Sequence, residues 1–332
     1  MTNDFKARLS QVVRDSIRPE GDVGSIRRLS GGASQETWQI SLKAKGATEE
    51  LILRRAQNGT LDSRAHGPGL AGEAELMRAA AVQGVPVPRV LHVLEPQDGL
   101  GTGFLMPKVE GETIARKILR DDRFSAVRPR LAERCGEILA AIHNIDLDHC
   151  PPLWQGGGEA QLRSLRQQYA AQEQPRPVFE VAFRWLFDNL PTPVAQPRVV
   201  HGDFRNGNLI IDEQDIRAVL DWELAHLGDP VEDLGWLCVP SWRFGEVDKA
   251  AGGFGTIEDL IAGYERAGGA SVNDRRLQFW MVFGTLFWGV TCVEFALDFL
   301  RGDRSVERAA IGRRMSETEI DLLMLIDGGA RL

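Results

Sequence analysis

Several hallmarks of common protein classes are missing from this 332-residue chain. Its four cysteines, Cys135, Cys150, Cys238 and Cys292, form no C-x-x-C pair, which argues against a zinc ribbon or a dithiol redox motif. No internal repeat and no low-complexity segment is visible, so repeat proteins and collagen are excluded. No basic run stands out and the formal net charge is −8, so no nucleic-acid partner is expected.

The sequence also lacks an apolar leader at its N-terminus. Residues 1–17 are typical of an amphipathic helix, and four scattered cysteines fit a reducing compartment, so we expect a cytoplasmic protein. Residues 277–300 are apolar enough to resemble a membrane span, but they include Glu294 and Asp298. Because a charge within a span is costly, we predict a buried core helix there and no membrane partner.

The chain does have an ordinary globular composition, with 43% hydrophobic and 26% charged residues. Its length suggests about two domains. The pattern of the first hundred residues predicts strands and one helix, and the later pattern is mainly helical. The predicted strands are 25–29, 36–43, 50–55, 86–95 and 104–109, the first helix is 72–83, and the later helices include 126–144, 159–172 and 178–190. We predict an α+β fold with a β-rich lobe over 1–107 and a helical lobe over 108–332.

The most informative segment runs from Val200 to Leu237. Asp203 follows a predicted strand and lies in a loop, where a carboxylate can meet an incoming hydroxyl. Asn208 and Asp221 bracket a predicted hairpin, whose two ends lie together, so their oxygens can share one hard cation such as Mg²⁺. A carboxylate base beside an oxygen-liganded Mg²⁺ is the arrangement that phosphoryl transfer uses.

The sequence of this segment resembles that of a known protein family. HGDFRNGN matches H-x-D-x-x-x-x-N, the catalytic loop of the protein-kinase-like fold. With the following D-W-E and G-D-P-x-x-D-L, the sequence resembles the aminoglycoside phosphotransferase family over residues 25–300, and it is most similar in wording to the kinase modules associated with acyl-CoA dehydrogenases. The resemblance implies a two-lobed protein-kinase-like fold. It also implies an enzyme that uses ATP and Mg²⁺ to phosphorylate a hydroxyl of a small molecule.

The resemblance assigns roles within the catalytic segment. Asp203 matches the aspartate that orients the acceptor hydroxyl, and Asn208 and Asp221 match the two metal ligands. Arg205 stands where protein kinases have a lysine, and a cation there can stabilise charge on the transferring phosphoryl group. The sequence departs from D-F-G, since Trp222 follows Asp221, so the regulation of protein kinases by a moving phenylalanine is not assumed.

Two further residues of the segment are interpreted as braces. Asp233, in G-D-P-V-E-D-L, is expected to hold the backbone of the catalytic loop. His201 is expected to be a brace and not a base. No A-P-E sequence follows Asp221, which disfavours a protein kinase with a peptide platform.

The resemblance also implies a nucleotide site in the first lobe. Gly31, Gly32 and Ser34 lie between two predicted strands, where backbone N–H groups and a hydroxyl can approach phosphates, although a plain hairpin turn has a similar sequence. In the strand LILRR, Arg54 matches the lysine that contacts the α- and β-phosphates. Arg55 is the alternative, and only one of the two can face the nucleotide because strand side chains alternate.

Two more predictions complete the nucleotide site. Glu73 is the expected helix partner of Arg54, with Glu75 as the alternative. The hinge FLMPKVEG is expected to bind adenine through the peptide groups of Met106, Lys108 or Val109, because Pro107 has no N–H.

For the acceptor, the sequence predicts a chemical class and not individual binding residues. Seven of the eight tryptophans lie beyond residue 150, in the lobe that forms the acceptor pocket in the resembling family. We therefore expect an apolar pocket and a hydrophobic acceptor with a hydroxyl group, such as a hydroxyacyl-CoA. An aminoglycoside or macrolide kinase is the alternative, and a nucleotide-binding pseudokinase scaffold is an alternative of another class. The sequence makes no prediction of the oligomeric state.

Overall fold

A computed structural model describes residues 3–29, 35–44, 47–56 and 67–328 of the chain. Among these residues, five strands form one antiparallel sheet in the order β1-β2-β3-β5-β4. The strands are β1 (Asp22–Arg28), β2 (Gln35–Ala44), β3 (Ala47–Ala56), β4 (His92–Val93) and β5 (Gly103–Pro107). Two helices flank this sheet, α1 (Asn3–Val12) and α2 (Gly69–Val82). The predicted elements are present, with ends shifted by a few residues.

The largest difference from the predicted strands concerns residues 86–95, of which only β4 joins the sheet. Pro86 and Pro88 lack the N–H group that a paired strand needs, which explains the short strand. The Pro86 carbonyl instead accepts a hydrogen bond of 2.8 Å from the N–H of Val219, in the second half of the chain. This segment therefore connects the sheet to the helical region.

The alternation of β3 decides which face each arginine occupies. Leu51 and Leu53 are buried with residues of α1 in one apolar cluster, whereas Ile52 belongs to the large core shared with α2 and the helices beyond. Because successive side chains point to opposite faces, Arg54 lies on the Ile52 face and Arg55 on the face of α1. The guanidinium of Arg55 accordingly lies over the ring of Phe5, 4.9 Å from its centre.

The second half of the chain is mainly helical. Its helices are α3 (Ala115–Arg120), α4 (Leu131–His143), α5 (Gly158–Ala171), α6 (Pro177–Asp188), α7 (Val231–Leu237), α8 (Ile257–Arg266), α9 (Asp274–Leu300), α10 (Val306–Gly312) and α11 (Met315–Gly328). Four short strands pair as β6 (Arg198–Val200) with β9 (His226–Gly228), and β7 (Leu209–Ile211) with β8 (Ile216–Val219). The predicted α+β architecture, with a β-sheet lobe followed by a helical lobe, is thus confirmed.

Helix α9 is the apolar run predicted to be a core helix. By length and composition alone it could cross a membrane, but 61% of its most apolar window is buried inside the protein. Its buried side chains include Trp280, Phe283 and Val290, and the helix packs against α7, α10 and α11. The structure therefore agrees with a helix that serves as the centre of the second lobe.

Helices α4 and α8 approach each other closely at two glycines. A Cβ atom on Gly136 would lie 2.1 Å from the carbonyl oxygen of Leu260, and one on Gly263 would lie 2.1 Å from that of Glu133. Backbone atoms cannot move aside as a flexible side chain can, so only glycine permits this spacing.

We predict that Gly263→Ala lowers the free energy of unfolding by about 2 kcal/mol, because overpacking outweighs the better helix propensity of alanine. Urea denaturation followed by circular dichroism measures this change. Gly157→Ala is the control, since a Cβ there meets nothing within 4 Å and φ is −115°. Equal stability of the two variants would contradict the close-packing argument.

Candidate active site

The loop that follows β6 carries the predicted catalytic residues, and a buried carboxylate holds its backbone. Asp233 Oδ2 accepts a hydrogen bond from the His201 N–H at 2.8 Å, and Oδ1 accepts one from the Gly202 N–H at 2.9 Å. Oδ2 also lies 3.1 Å from His143 Nε2. Burial alone would raise the pKa of Asp233, but these partners hold it below its ordinary value. Asp233 therefore stays charged and ties α7 to the loop and to α4, as expected for a brace.

His201 is fully buried, and both of its ring nitrogens contact backbone groups. Nε2 donates to the Leu220 carbonyl at 3.0 Å, and Nδ1 accepts from the Asp203 N–H at 3.2 Å. Burial lowers the pKa of His201, so the ring stays neutral, in the tautomer that this pattern requires. With both nitrogens occupied, His201 links the loop to the segment before Asp221 and does not act as a base.

Three donors orient the carboxylate of Asp203. Oδ1 accepts from Arg205 Nε at 2.9 Å and from the indole N–H of Trp236 at 2.9 Å. Oδ2 accepts from Asn208 Nδ2 at 2.6 Å. The guanidinium of Arg205 lies over the ring of Trp242, 4.8 Å from its centre. Arg205 thus touches the carboxylate directly here, and its predicted contact with a phosphoryl group stays a prediction.

The hairpin β7–β8 brings Asn208 next to Asp221. The N–H of Leu220 donates to the Asn208 carbonyl at 2.8 Å, which closes the hairpin at the predicted place. Asn208 gives its amide N–H to Asp203, so its Oδ1 is the atom left to bind a cation. Asp221 has a φ of 67°, a strained backbone conformation that is common at functional sites.

A cluster of charges surrounds Arg54. Arg54 donates to Asp221 through Nη2, and its Nε lies 3.4 Å from Glu73. Glu223 is 3.8 Å from the same guanidinium, and Gln35 bridges by accepting from Arg54 Nε at 2.5 Å and donating to Glu73 at 3.0 Å. Three carboxylates therefore face one guanidinium, and the excess negative charge suits a cation.

Burial and the ion pairs with Arg54 together set the pKa values in this cluster. Burial raises the pKa of Glu73 to about 7, and Arg54 offsets that effect only in part. Burial would also raise the pKa of Asp221, but the ion pair with Arg54 keeps it below its ordinary value. Asp221 is therefore charged at neutral pH. An anionic carboxylate and an amide oxygen are hard ligands, so the Asn208–Asp221 pair fits Mg²⁺ chemically.

The structure decides between Arg54 and Arg55, and between Glu73 and Glu75, as the members of the ion pair. Arg54 faces the cluster, whereas Arg55 pairs with Glu36 at 2.9 Å on the opposite face of the sheet. Glu73 is buried within the cluster, and Glu75 is exposed. Contact of Arg54 with a nucleotide stays a prediction, as do the roles of Gly31, Gly32 and Ser34, which lie outside the described residues.

The hinge requires a correction. The Lys108 N–H donates to the Glu50 carbonyl at 2.8 Å, and its ammonium pairs with Glu110 in a solvent-facing contact. Because antiparallel pairing alternates, the peptide groups of Met106 also face β3, so neither Met106 nor Lys108 offers a backbone bond to adenine. By the same alternation the Pro107 carbonyl points away from β3, and the role of Val109, which follows the end of β5, stays a prediction.

An apolar cavity of about 470 Å³ adjoins the catalytic loop. Its lining includes Gly202, which precedes Asp203, and Trp236, which bonds to it. Other wall residues are mainly apolar and aromatic: Trp154, Leu165, Leu224, Trp280, Phe283 and Phe287. This agrees with the apolar acceptor pocket predicted from the tryptophan distribution.

One polar cluster interrupts the apolar wall of this cavity. Glu232 accepts from Gln161 at 2.7 Å and lies 3.3 Å from His226 Nε2. Burial alone would lower the pKa of His226, but the carboxylate of Glu232 outweighs it and raises the pKa to about 9. The two charges therefore neutralise each other at pH 7.

A larger cavity of about 1350 Å³ lies between α3, the loop after α7 and α11. It meets the catalytic loop at Gly207 and carries both acidic and basic residues. The smaller cavity is lined by Trp236, which bonds to the Asp203 carboxylate, so it is the better candidate for the acceptor.

Three residues of the site have no sequence signal that singles them out. Trp236 is one of many aromatics in the second lobe, Gln35 is a polar residue at the start of a strand, and Glu223 belongs to the D-W-E sequence but has no predicted role. Each becomes part of the site through contacts distant in sequence, such as the one between Gln35 and Glu73.

The fold and this arrangement define a kinase-type phosphotransferase. Residues 25–277 match the APH family, described as the phosphotransferase enzyme family, and the chain belongs to that family. It is 32% identical over 260 residues to acyl-CoA dehydrogenase family member 10 of Mus musculus. That match covers 72% of this chain but only 23% of the relative.

Solved structures share the fold. A Ralstonia eutropha JMP134 protein assigned to the aminoglycoside phosphotransferases has a TM-score of 0.75 and 21% identity, covering 97% of this chain and 98% of the other. A thermostable mutant of aminoglycoside phosphotransferase APH(4)-Ia, in complex with AMP-PNP and hygromycin B, has a TM-score of 0.60 and 18% identity, covering 98% and 99%. At such identities the likeness establishes the fold and not the substrate.

We predict that Asp233→Asn lowers the free energy of unfolding by about 3 kcal/mol at neutral pH, because a buried charge with several partners is lost. A carboxyl group whose pKa is lowered in the folded state stabilises that state at pH values above its ordinary pKa of 3.8. This contribution is lost as the pH falls below that value. The difference from wild type should therefore shrink on acidification. Denaturation across a pH series measures it.

Asp188→Asn is the control for this experiment, because its ion pair with Arg184 is exposed. Its effect should stay within about 0.5 kcal/mol. A difference between Asp233→Asn and wild type that is independent of pH would contradict the role of the Asp233 charge.

Proposed function

We propose that this protein is an ATP- and Mg²⁺-dependent kinase that transfers the γ-phosphoryl group to a hydroxyl of a small molecule. The observation that supports this most strongly is the placement of Asp203. Its oriented carboxylate bonds to Asn208, at the hairpin that ends beside Asp221, and to Trp236, which lines the apolar cavity, so one group can meet both substrates.

The nucleotide would bind between the sheet and the catalytic loop. Arg54 is the cation available to the phosphates, and its permanent charge and forked geometry suit them. The Pro107 carbonyl, which points away from β3, and the N–H of Val109 would supply an acceptor and a donor for the adenine edge. Asn208 and Asp221 would hold Mg²⁺, which, when bound, neutralises charge on the phosphates.

Asp203 would act on the acceptor. Its carboxylate accepts the proton of the acceptor hydroxyl as the hydroxyl oxygen bonds to the γ-phosphorus, while the bond to the bridging oxygen breaks and ADP leaves. Positioning is the main contribution, since the three hydrogen bonds fix the carboxylate before substrate arrives. Arg205, held by Asp203 through Nε, would direct its remaining N–H groups towards the transferring phosphoryl group.

For the acceptor we propose a hydrophobic hydroxy compound such as a hydroxyacyl-CoA. The cavity beside Asp203 is mostly apolar, and its carboxylate, Glu232, is already paired with a charged His226. A polycationic aminoglycoside would find little negative charge there. The similarity to acyl-CoA dehydrogenase family member 10 points in the same direction.

Two other functions are alternatives that experiment can distinguish from the proposed one. An aminoglycoside or macrolide kinase is the first, because proteins with those names share the fold. A nucleotide-binding scaffold is disfavoured because Asp203, Asn208 and Asp221 are all present and adjacent.

We expect phosphorylated product when the protein is incubated with Mg-ATP and a 3- or 4-hydroxyacyl-CoA, and none with Asp203→Asn. Mass spectrometry of the product detects the transfer. A panel of aminoglycosides, macrolides, homoserine and choline provides the comparison. Product from an antibiotic alone would contradict the proposed acceptor but keep the mechanism, and undiminished transfer by Asp203→Asn would contradict the role of Asp203.

We expect Arg54→Gln to weaken Mg-ATP binding about tenfold or more, because a charged contact to phosphate is lost. Isothermal titration calorimetry without acceptor measures this. Arg54→Lys, which keeps the charge, should bind with intermediate affinity. The matched control is Arg55→Gln on the other face of β3, and equal weakening by both glutamine variants would refute the assignment of Arg54.

A further inference from the structure

The wall of the acceptor cavity is bonded to the catalytic carboxylate. Trp236 is 7% exposed, and its ring forms part of the cavity wall. Its indole N–H lies 2.9 Å from Asp203 Oδ1. One side chain therefore contacts both the space for the acceptor and the group expected to receive the acceptor's proton.

The hydrogen bonds of Asp203 leave a defined position for the hydroxyl. A carboxylate has about two acceptor directions on each oxygen. Arg205 and Trp236 occupy those of Oδ1, and Asn208 occupies one on Oδ2. Among the described residues, the second direction of Oδ2 is left for the acceptor. Without Trp236, Oδ1 would offer a competing position and the carboxylate could rotate.

The position of Trp236 is itself closely constrained. Its ring packs against Trp242 and Phe287, with centres 5.3 and 5.7 Å away. A Cβ on Gly284 of α9 would lie 2.9 Å from the indole, so glycine there permits the close approach. The helix that carries Trp236 also carries Asp233, which holds the backbone of the same loop. Residues of α7 therefore hold both the backbone of the catalytic loop and the carboxylate of Asp203.

We propose that Trp236 is a positioning residue, which orients Asp203 so that Oδ2 receives the hydroxyl of an acceptor lying against the indole ring. This inference rests on the proposed kinase function. It assigns to one indole two tasks, forming the acceptor wall and directing the base. A tryptophan suits both, because its ring is apolar and its N–H is a donor only.

The first test concerns the contact itself and needs no substrate. The protein is labelled with ¹⁵N-tryptophan, which gives one indole N–H resonance for each of eight tryptophans. Trp236→Phe removes and so identifies one resonance. We expect Asp203→Asn to shift that resonance strongly, because the charged acceptor is lost, and to leave the resonance of Trp288 nearly unchanged. A resonance of Trp236 that ignores Asp203→Asn would overturn the proposal.

The second test concerns catalysis. Trp236→Phe keeps an aromatic ring but lacks the donor, and we expect kcat for transfer to a hydroxyacyl-CoA to fall roughly 10- to 100-fold, with the KM for Mg-ATP unchanged. Trp288→Phe is the matched control, because its ring packs 4.9 Å from that of Trp242 and its indole nitrogen has no hydrogen-bond partner among the described residues. It should stay within about twofold of wild type.

The outcomes separate this proposal from the proposed function. If wild type transfers no phosphoryl group to any acceptor, the proposed function fails, while the resonance of Trp236 still reports on the contact. If wild type is active and a folded Trp236→Phe variant keeps its kcat, the positioning role is refuted. Should Trp236→Phe not fold, single phenylalanine variants of the other seven tryptophans identify the Trp236 resonance by elimination, and the Asp203→Asn spectrum, which leaves Trp236 in place, still decides.

Discussion

The buried carboxylate of Asp233 is the interaction on which the active site depends. Its oxygens accept the N–H groups of His201 and Gly202 and pair with His143, so one charge connects α7, α4 and the catalytic loop. A charge with no exposure is unfavourable unless its partners satisfy it, and here several do. The loop therefore has a defined shape before any substrate binds.

A second ionic arrangement joins the two halves of the chain. Arg54, from the sheet, bonds to Asp221 and lies near Glu223, both in the segment after β8. Burial raises the pKa of Glu73, Arg54 offsets this in part, and the nearby carboxylates Asp221 and Glu223 add a smaller increase. Three carboxylates thus share one guanidinium, an excess of negative charge. Such an excess is unfavourable for the folded state alone, and it becomes favourable when a cation binds. We interpret this excess of carboxylates as a feature that lowers the stability of the folded protein and creates a site for a ligand.

The apolar cavity, in contrast to the Arg54 cluster, has no excess of negative charge among the described residues that line it. Its charges are paired within it, and its aromatic walls offer contact area with few hydrogen bonds. Selectivity would then come from shape and from the position of Asp203, and charge would contribute little. One fold can therefore carry acceptor cavities of different chemistry.

Much of this protein could be predicted from sequence because its key contacts are local. The turn before Asp203, the hairpin between Asn208 and Asp221, and the alternation that separates Arg54 from Arg55 all depend on neighbours within about twenty residues. The sequence by itself determined the two-lobed α+β fold and the family. Tertiary structure alone decided the pairing of Arg54 with Glu73 and not Glu75, the direction of the peptides at Met106 and Lys108, and the bond from Trp236 to Asp203. These are contacts between distant segments, and their geometry depends on how helices and strands pack, which no local pattern specifies.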